Sequence, residues 1–379
     1  MKEIWENVSE RLDGSTLLGI AALGTVGAGA LLRRQRTQES ELSGQVALVT
    51  GSSRGLGFLL ARELAREGCR LVICARDEAE LERARADLEQ EGAEVLAIPC
   101  DLSDRHQVAR MVEEATRRFG RVDVLVNNAG IIQVGPLQSL TLQDFEDAFG
   151  VMFWGVLYPT LAVLPQMLER QEGRIVNITS IGGKVAVPHL LPYICAKFAA
   201  VGLSEALRAE LASQGVTVTT IVPGLMRTGS PLNAFFKGQQ KDEFTWFSLG
   251  SSLPFISMDA ERAARQIISA AKRGEAEFTL TLPARLLARF QGLFPGLTAN
   301  LLGLITPLLL PGPAGTSKEK ERGMEVQMRM DFPRNWLLKL LTVLSQRAAR
   351  RLHQYPGPLS VLSEERERGN VDRGARIAE

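Results

Sequence analysis

Between Gln45 and Thr281 the chain alternates short β-rich runs with longer helical stretches, and few folds accept that order. Strands are predicted over residues 46–50, 70–75, 94–99, 122–127, 174–179, 216–222 and 277–281. Helices are predicted between them over 56–67, 78–91, 104–119, 142–170, 192–213 and 259–273. This alternation is the signature of a parallel sheet covered by helices. Right-handed crossovers then leave a doubly wound α/β fold of about seven strands, with its ligand site at their carboxyl ends.

Charge and cysteine content remove several function classes. Lys and Arg number 44 against 43 Asp and Glu, a net charge of +1, which argues against a general nucleic-acid binder. The 4 cysteines form no C-x-x-C pair and no disulfide scaffold. His106, His189 and His353 lie far apart, so no metal site is predicted.

Four segments emerge along the chain: 1–40, an α/β domain over 42–281, an apolar and amphipathic extension over 282–355, and a tail over 356–379, rich in Glu and Arg and expected to be mobile. Residues 17–32 (LLGIAALGTVGAGALL) carry no charge and are followed by Arg33, Arg34 and Arg36. With Ser15 and Thr16 they reach roughly 27 Å as a helix, marginal against a bilayer core of about 30 Å. The preceding residues include Glu3, Glu6, Glu10 and Asp13, the wrong charge order for a secretory signal. The segment reads as a membrane anchor that holds the following domain on the cytoplasmic side. The alternative is a helix packed on a soluble cytoplasmic domain. Residues 290–312 (FQGLFPGLTANLLGLITPLLLPG) are also uncharged but interrupted by prolines, which suits an interfacial element, a re-entrant one or a flap over a site mouth. Residues 335–354 read as a basic amphipathic helix, set either against lipid or against the domain.

The first strand runs into Thr50-Gly51-Ser52-Ser53-Arg54-Gly55-Leu56-Gly57, where a helix opens. Glycines here let the backbone approach a pyrophosphate that faces the helix N-terminus. Asn127-Asn128-Ala129-Gly130 ends the fourth strand, Ser180 follows the fifth, Tyr193-x-x-x-Lys197 opens the next helix and Pro223-Gly224 ends the sixth strand. Over roughly residues 42–281 this set resembles the short-chain dehydrogenase/reductase family.

The resemblance implies a Rossmann-type fold, a nicotinamide cofactor and interconversion of a carbonyl and an alcohol. It implies that Thr50, Gly51, Ser53, Arg54, Gly55, Leu56 and Gly57 hold the cofactor. Asn127, Ala129 and Gly130 shape and line its site, Asp101 and Leu102 its adenine pocket, and Pro223, Gly224 and Thr228 its far end. Ser180, Tyr193 and Lys197 become the catalytic residues, with Lys197 also on the nicotinamide ribose. Hydride addition builds charge on the substrate oxygen, so an acid must supply a proton, and Tyr193 is placed for it. Lys197, one helical turn on, is expected to draw the phenol down toward working pH. Met152 stands where most relatives carry a fourth catalytic asparagine, and a thioether cannot replace an amide. That departure leaves a second reading open, a cofactor-binding scaffold or sensor with weak or no catalysis.

The second strand ends Ile73-Cys74-Ala75-Arg76-Asp77, without the acid that binds the 2′-hydroxyl of NAD. Arg76 and Arg54 favour NADP over NAD, since guanidinium groups grip a 2′-phosphate. Asp77 is expected to cap the next helix. Leu232, Phe235, Phe236, Phe244, Trp246, Phe247 and Phe255 follow Gly224 and predict an apolar lid, hence a small apolar, lipid-like substrate. His189 lines the substrate pocket or fills space, and most of the cysteines are expected to pack the core, with a redox switch at Cys195, near Lys197, as the lesser alternative. The resemblance also implies a homo-oligomer built through helices 142–170 and 192–213.

Overall fold

A computed structural model describes residues 41–252, 257–312, 317–330, 347–349 and 351–354. The apolar run 17–32, Phe255, most of the helix predicted over 335–354 and the tail from Pro356 lie outside the described residues. The central sheet has seven strands, β1 (Val46–Thr50), β2 (Arg70–Ala75), β3 (Val95–Pro99), β4 (Val124–Asn127), β5 (Gly173–Ile178), β6 (Val216–Val222) and β7 (Glu277–Thr279). Their order is β3-β2-β1-β4-β5-β6-β7, and every neighbouring pair is parallel. Val49 stands opposite both Ile73 and Val126, so β1 is hydrogen-bonded on both edges. Chain order reverses between β1 and β4, the topological switch point where this Rossmann-type architecture binds ligands.

Helices α1 (Gly55–Arg66), α2 (Glu78–Gln90), α3 (Arg105–Phe119), α4 (Leu142–Phe149), α5 (Gly155–Arg170) and α6 (Leu191–Leu211) follow the strands. Two apolar layers sandwich the sheet. Phe58, Leu60 and Leu64 of α1 meet Leu71, Ile73 and Ile267 on one face. Met111 and Val112 of α3 meet Leu125, Val163 and Met167 on the other. Asp77 caps α2 by accepting the Glu80 N–H at 2.8 Å, and Asp104 caps α3.

The single helix predicted over 142–170 is observed with a defect. Residues Gly150–Trp154 form a π-turn between α4 and α5, a widening common near functional sites. Its flanking glycines sit hard against the loop after β3, where a Cβ on Gly155 would lie 3.1 Å from Leu102 Cβ and one on Gly150 3.3 Å from Ser103 Cβ. By length and composition Leu142–Arg170 is apolar enough to cross a membrane, but Val163 and Met167 are spent on the sheet. The last strand is also shorter than predicted. Thr281 instead caps α9 (Leu282–Leu293), accepting the Ala284 N–H.

Beyond β6 the chain builds a cover. It contains α7 (Gln240–Ser252) and then α8 (Ala260–Lys272), which packs beside α1. Leu232, Phe236, Phe244 and Phe247 form its own apolar cluster with Val326 and Ala349. The cover is pinned by a buried ion pair, Lys237 Nζ to Asp144 Oδ2 at 2.6 Å. Asp144 also accepts the Thr141 N–H and hydroxyl at the start of α4. Breaking a buried pair strands one charge. Asp144→Ala is expected to lose about 3 kcal/mol or more in urea unfolding. Combining Asp144→Leu with Lys237→Met should recover much of that loss. A single variant within about 1 kcal/mol of the parent would show the pair to be no more than a surface bridge.

Candidate active site

The site begins where β1 stops. Gly51 and Gly55 have φ of +63° and +60°, values that disfavour any side chain. At Gly57 a Cβ would lie 2.2 Å from the Gly51 carbonyl oxygen. Thr50 Oγ1 accepts the N–H of Asn128 at 2.9 Å and that of Ala129 at 3.2 Å. In return the Asn128 amide donates to the carbonyls of Thr50 and Gly51 at 3.0 and 3.1 Å. The loops leaving β1 and β4 are thereby sewn together at the switch point.

Asn127 takes a different place from the one predicted. Its amide donates to Thr160 Oγ1 and to Asn177 Oδ1, and Asn177 continues to Ser204 and Thr220 in a buried polar chain across the sheet. Neither Thr50 nor Asn127 reaches the cavity wall, so both act from behind it. The reason is the period of a strand: adjacent residues point to opposite sides, and Asn128 is the one turned to the loop.

Ser180, Tyr193 and Lys197 converge on one cavity of about 940 Å³. Ser180 Oγ accepts the Gly182 N–H at 3.0 Å, which leaves its own proton to donate. Lys197 Nζ lies 5.9 Å from the Tyr193 ring centroid and donates to the Ile178 carbonyl at 2.9 Å. Burial pushes the Tyr193 phenol up, against a smaller downward pull from the Ser180 hydroxyl. Burial also pushes the Lys197 ammonium down to about 8. The expected downward pull of Lys197 on the phenol is not what sets the direction here: desolvation does, and it disfavours both charged forms. Met152, fully buried in the π-turn, fills the space beneath Gly130, where a Cβ would meet its Sδ at 3.6 Å.

The same cavity is walled by Gly51, Ser53, Arg54, Gly55, Leu56, Gly57, Arg76, Asp101, Leu102, Ala129, Gly130, Pro223, Gly224 and Thr228, all sequence-predicted. Thr228 is held by a hydroxyl contact with Ser230 at 2.6 Å. Arg54 is already paired with Glu80 at 2.6 Å, whereas Arg76 is exposed. Of the predicted lid residues, Phe235, Trp246 and Phe247 face the cavity while Leu232, Phe236 and Phe244 pack inside the cover. His189 does not line the cavity. Its Nδ1 lies 2.7 Å from Glu243, a carboxylate with no exposure that also accepts the Trp246 indole N–H. Cys69, Cys74 and Cys100 are buried, and burial raises each thiol, Cys69 to about 12 and Cys100 to about 11. Sequence reasoning missed Glu80 and Gln354 in the wall. Helical spacing from Asp77 offered a signal for Glu80, and nothing local offered one for Gln354.

Whether a dinucleotide fits is a question of backbone clearance and charge. The glycine cradle, the start of α1 and a cavity whose wall includes both Arg76 and Tyr193 match a long ligand with an anionic middle. Residues 45–235 match the family model described as short chain dehydrogenase. The chain belongs to the short-chain dehydrogenase family. It is 37% identical over 242 residues to a dehydrogenase/reductase SDR family protein 7-like from Anopheles gambiae, covering 60% of this chain and 76% of that one. It is 41% identical over 185 residues to a Streptomyces violaceoruber granaticin polyketide synthase putative ketoacyl reductase 1, covering 48% of this chain and 68% of that one. A solved Burkholderia phymatum short chain dehydrogenase/reductase in complex with NAD superposes with a TM-score of 0.63 at 26% identity, covering 68% of this chain and 96% of that one. This short-chain dehydrogenase is accordingly an oxidoreductase with a fold that binds NAD(P).

Lys197 carries a measurable consequence. Its folded pKa lies below its unfolded one, so burying it opposes folding below about pH 8, and the cost fades as pH rises toward 10.5. In lysine-selective NMR of the cofactor-free protein, one ε-methylene should titrate near pH 8 and vanish in Lys197→Met. If every lysine titrates above pH 10, the burial argument fails.

Proposed function

We propose that this short-chain dehydrogenase is an NADPH-dependent carbonyl reductase that acts reversibly on an apolar, lipid-like ketone or aldehyde at a membrane surface. The observation that carries the reading is the meeting of Ser180, Tyr193 and Lys197 on the cavity that also contains the glycine turn. When bound, the dinucleotide supplies the hydride. As charge grows on the carbonyl oxygen, Ser180 donates a hydrogen bond to it and Tyr193 delivers its proton. The raised phenol is protonated at neutral pH and ready to donate, and the Lys197 ammonium favours the phenolate that remains. Met152 closes the side where an amide would stand, so proton return to Tyr193 runs from the cavity.

Preference for NADPH rests on exposed Arg76 at the end of β2 and on Arg54, with no acid at Ala75. The Arg54–Glu80 pair holds that guanidinium at the cavity wall. Ile131, Val151, Leu190, Phe235, Trp246 and Phe247 support an apolar substrate. Turnover of a carbonyl panel with NADPH should exceed that with NADH, and Tyr193→Phe should lower it at least about 100-fold. A Phe variant as fast as the parent, or NADH used equally well, would sink the corresponding part of the reading.

Membrane contact is supported by α9 and α10 (Pro295–Leu309), which meet at 116° and leave Leu286, Leu293, Leu304 and Leu308 exposed. Leu287 and Ala284 of the same pair face the cavity, so the apolar surface runs up to its mouth. Arg33, Arg34 and Arg36 orient the domain to the cytoplasmic side. The exposed side chains of Trp154, Leu161 and Phe198 support self-association through α5 and α6. Replacing Leu304 and Leu308 by Glu should raise KM several-fold for a long-chain ketone dissolved in vesicles while leaving a short water-soluble ketone unaffected. Equal effects on both would argue that the pair serves the domain alone.

A further inference from the structure

The last described turn of the chain, 351–354, returns to the nucleotide half of the cavity. Leu352 is buried in the core with Phe58, and its carbonyl accepts the Gly55 N–H at 2.9 Å. His353 packs against Phe58 with tilted rings, centroids 4.7 Å apart, and pairs with Asp87 at 2.9 Å. Gln354 then lies across the cleft. Its Oε1 accepts the Gly229 N–H, and its carbonyl accepts the Asn233 amide at 3.2 Å. Ala349, in the preceding turn, is buried in the cover. One short segment therefore ties the glycine turn on one wall to the Thr228–Gly229 loop on the other.

Gln354 is 7% exposed, and among the described residues its Nε2 donates to no protein acceptor although the residue lines the cavity. That amide lies over the start of α1, because a Cβ on Gly55 would come within 2.8 Å of it. A donor on the cavity wall that serves no protein acceptor is free to serve a ligand. Gln354 shares the cavity wall with Arg76 and Tyr193 and lies over the start of α1, which would face the anionic middle of a dinucleotide. The cavity stays open with Gln354 in its wall, so the segment borders the ligand path without filling it.

We propose that the C-terminal segment completes the cofactor site, with Gln354 Nε2 donating to the pyrophosphate and Oε1 holding the opposite loop. This rests on the dinucleotide reading above, and direct binding separates the two. The variant Gln354→Glu keeps an acceptor for the Gly229 N–H but removes the donor and adds a negative charge. Gln354→Met keeps volume and loses both contacts. In the full chain, NADPH fluorescence titration should give a Kd raised roughly tenfold or more for Glu and several-fold for Met, the scale of one hydrogen bond to a charged group. ADP-ribose, which carries the pyrophosphate, should weaken in parallel, whereas adenosine 2′-phosphate, which has no 5′-phosphate, should bind both variants as it binds the parent. Equal losses for adenosine 2′-phosphate would reduce Gln354 to a brace. An unchanged or tighter NADPH Kd in Gln354→Glu would overturn the proposal, the tighter value meaning that the segment obstructs the site. A parent protein that binds neither NADPH nor NADH would overturn the dinucleotide reading itself.

Discussion

The Thr50 hydroxyl is the hinge pin of this structure. It accepts two N–H groups from the loop after β4, and Asn128 answers with two bonds to the loop after β1. Adjacent parallel strands diverge at their carboxyl ends at a switch point, and without such a tie the two loops would be free to drift. Everything with chemical use hangs from that junction: the glycine turn on one side, Ala129 and Gly130 on the other, and Tyr193 and Lys197 on the helix packed behind them.

Burial then decides the electrostatics of the site. On an exposed helix face desolvation would be absent, and a neighbouring ammonium would only favour the phenolate. Here desolvation acts on both, raising the phenol and lowering the ammonium. The pair is most stable with the phenol neutral, the form that suits proton donation. A bound ligand that replaces water with fixed polar contacts would change this balance, so the resting pair and the working pair need not share one protonation pattern.

Much of the domain was legible because its strands are short apolar runs bounded by turn residues. Three strand predictions, 46–50, 70–75 and 216–222, coincide with β1, β2 and β6 to the residue. Errors fell where a local feature was ambiguous. Thr281 reads as a strand residue by composition but caps a helix, and the π-turn at Gly150–Trp154 leaves no trace in a 3.6-residue period. The site was legible for the same local reason, since Tyr193 and Lys197 are one turn apart and the glycine turn is contiguous. Asn127 was placed in the cavity wall although it faces the sheet interior, because a motif lists neighbours without saying which way each points. His189 was left between two roles until Glu243, far along the chain, supplied its partner.

The succession of strands and helices along the chain, the glycine turn and the spacing of Tyr193 and Lys197 were set by the sequence alone, because each depends on residues within a few positions of one another. Tertiary structure decided what depends on distance: which wall residues share one cavity, how far burial moves Tyr193 and Lys197, and that Gln354 meets Gly229 from 125 positions away. Local rules act through backbone geometry and side-chain period, which a sequence carries openly. Desolvation and long-range contact exist only once the chain has closed on itself, since both are properties of what surrounds a residue.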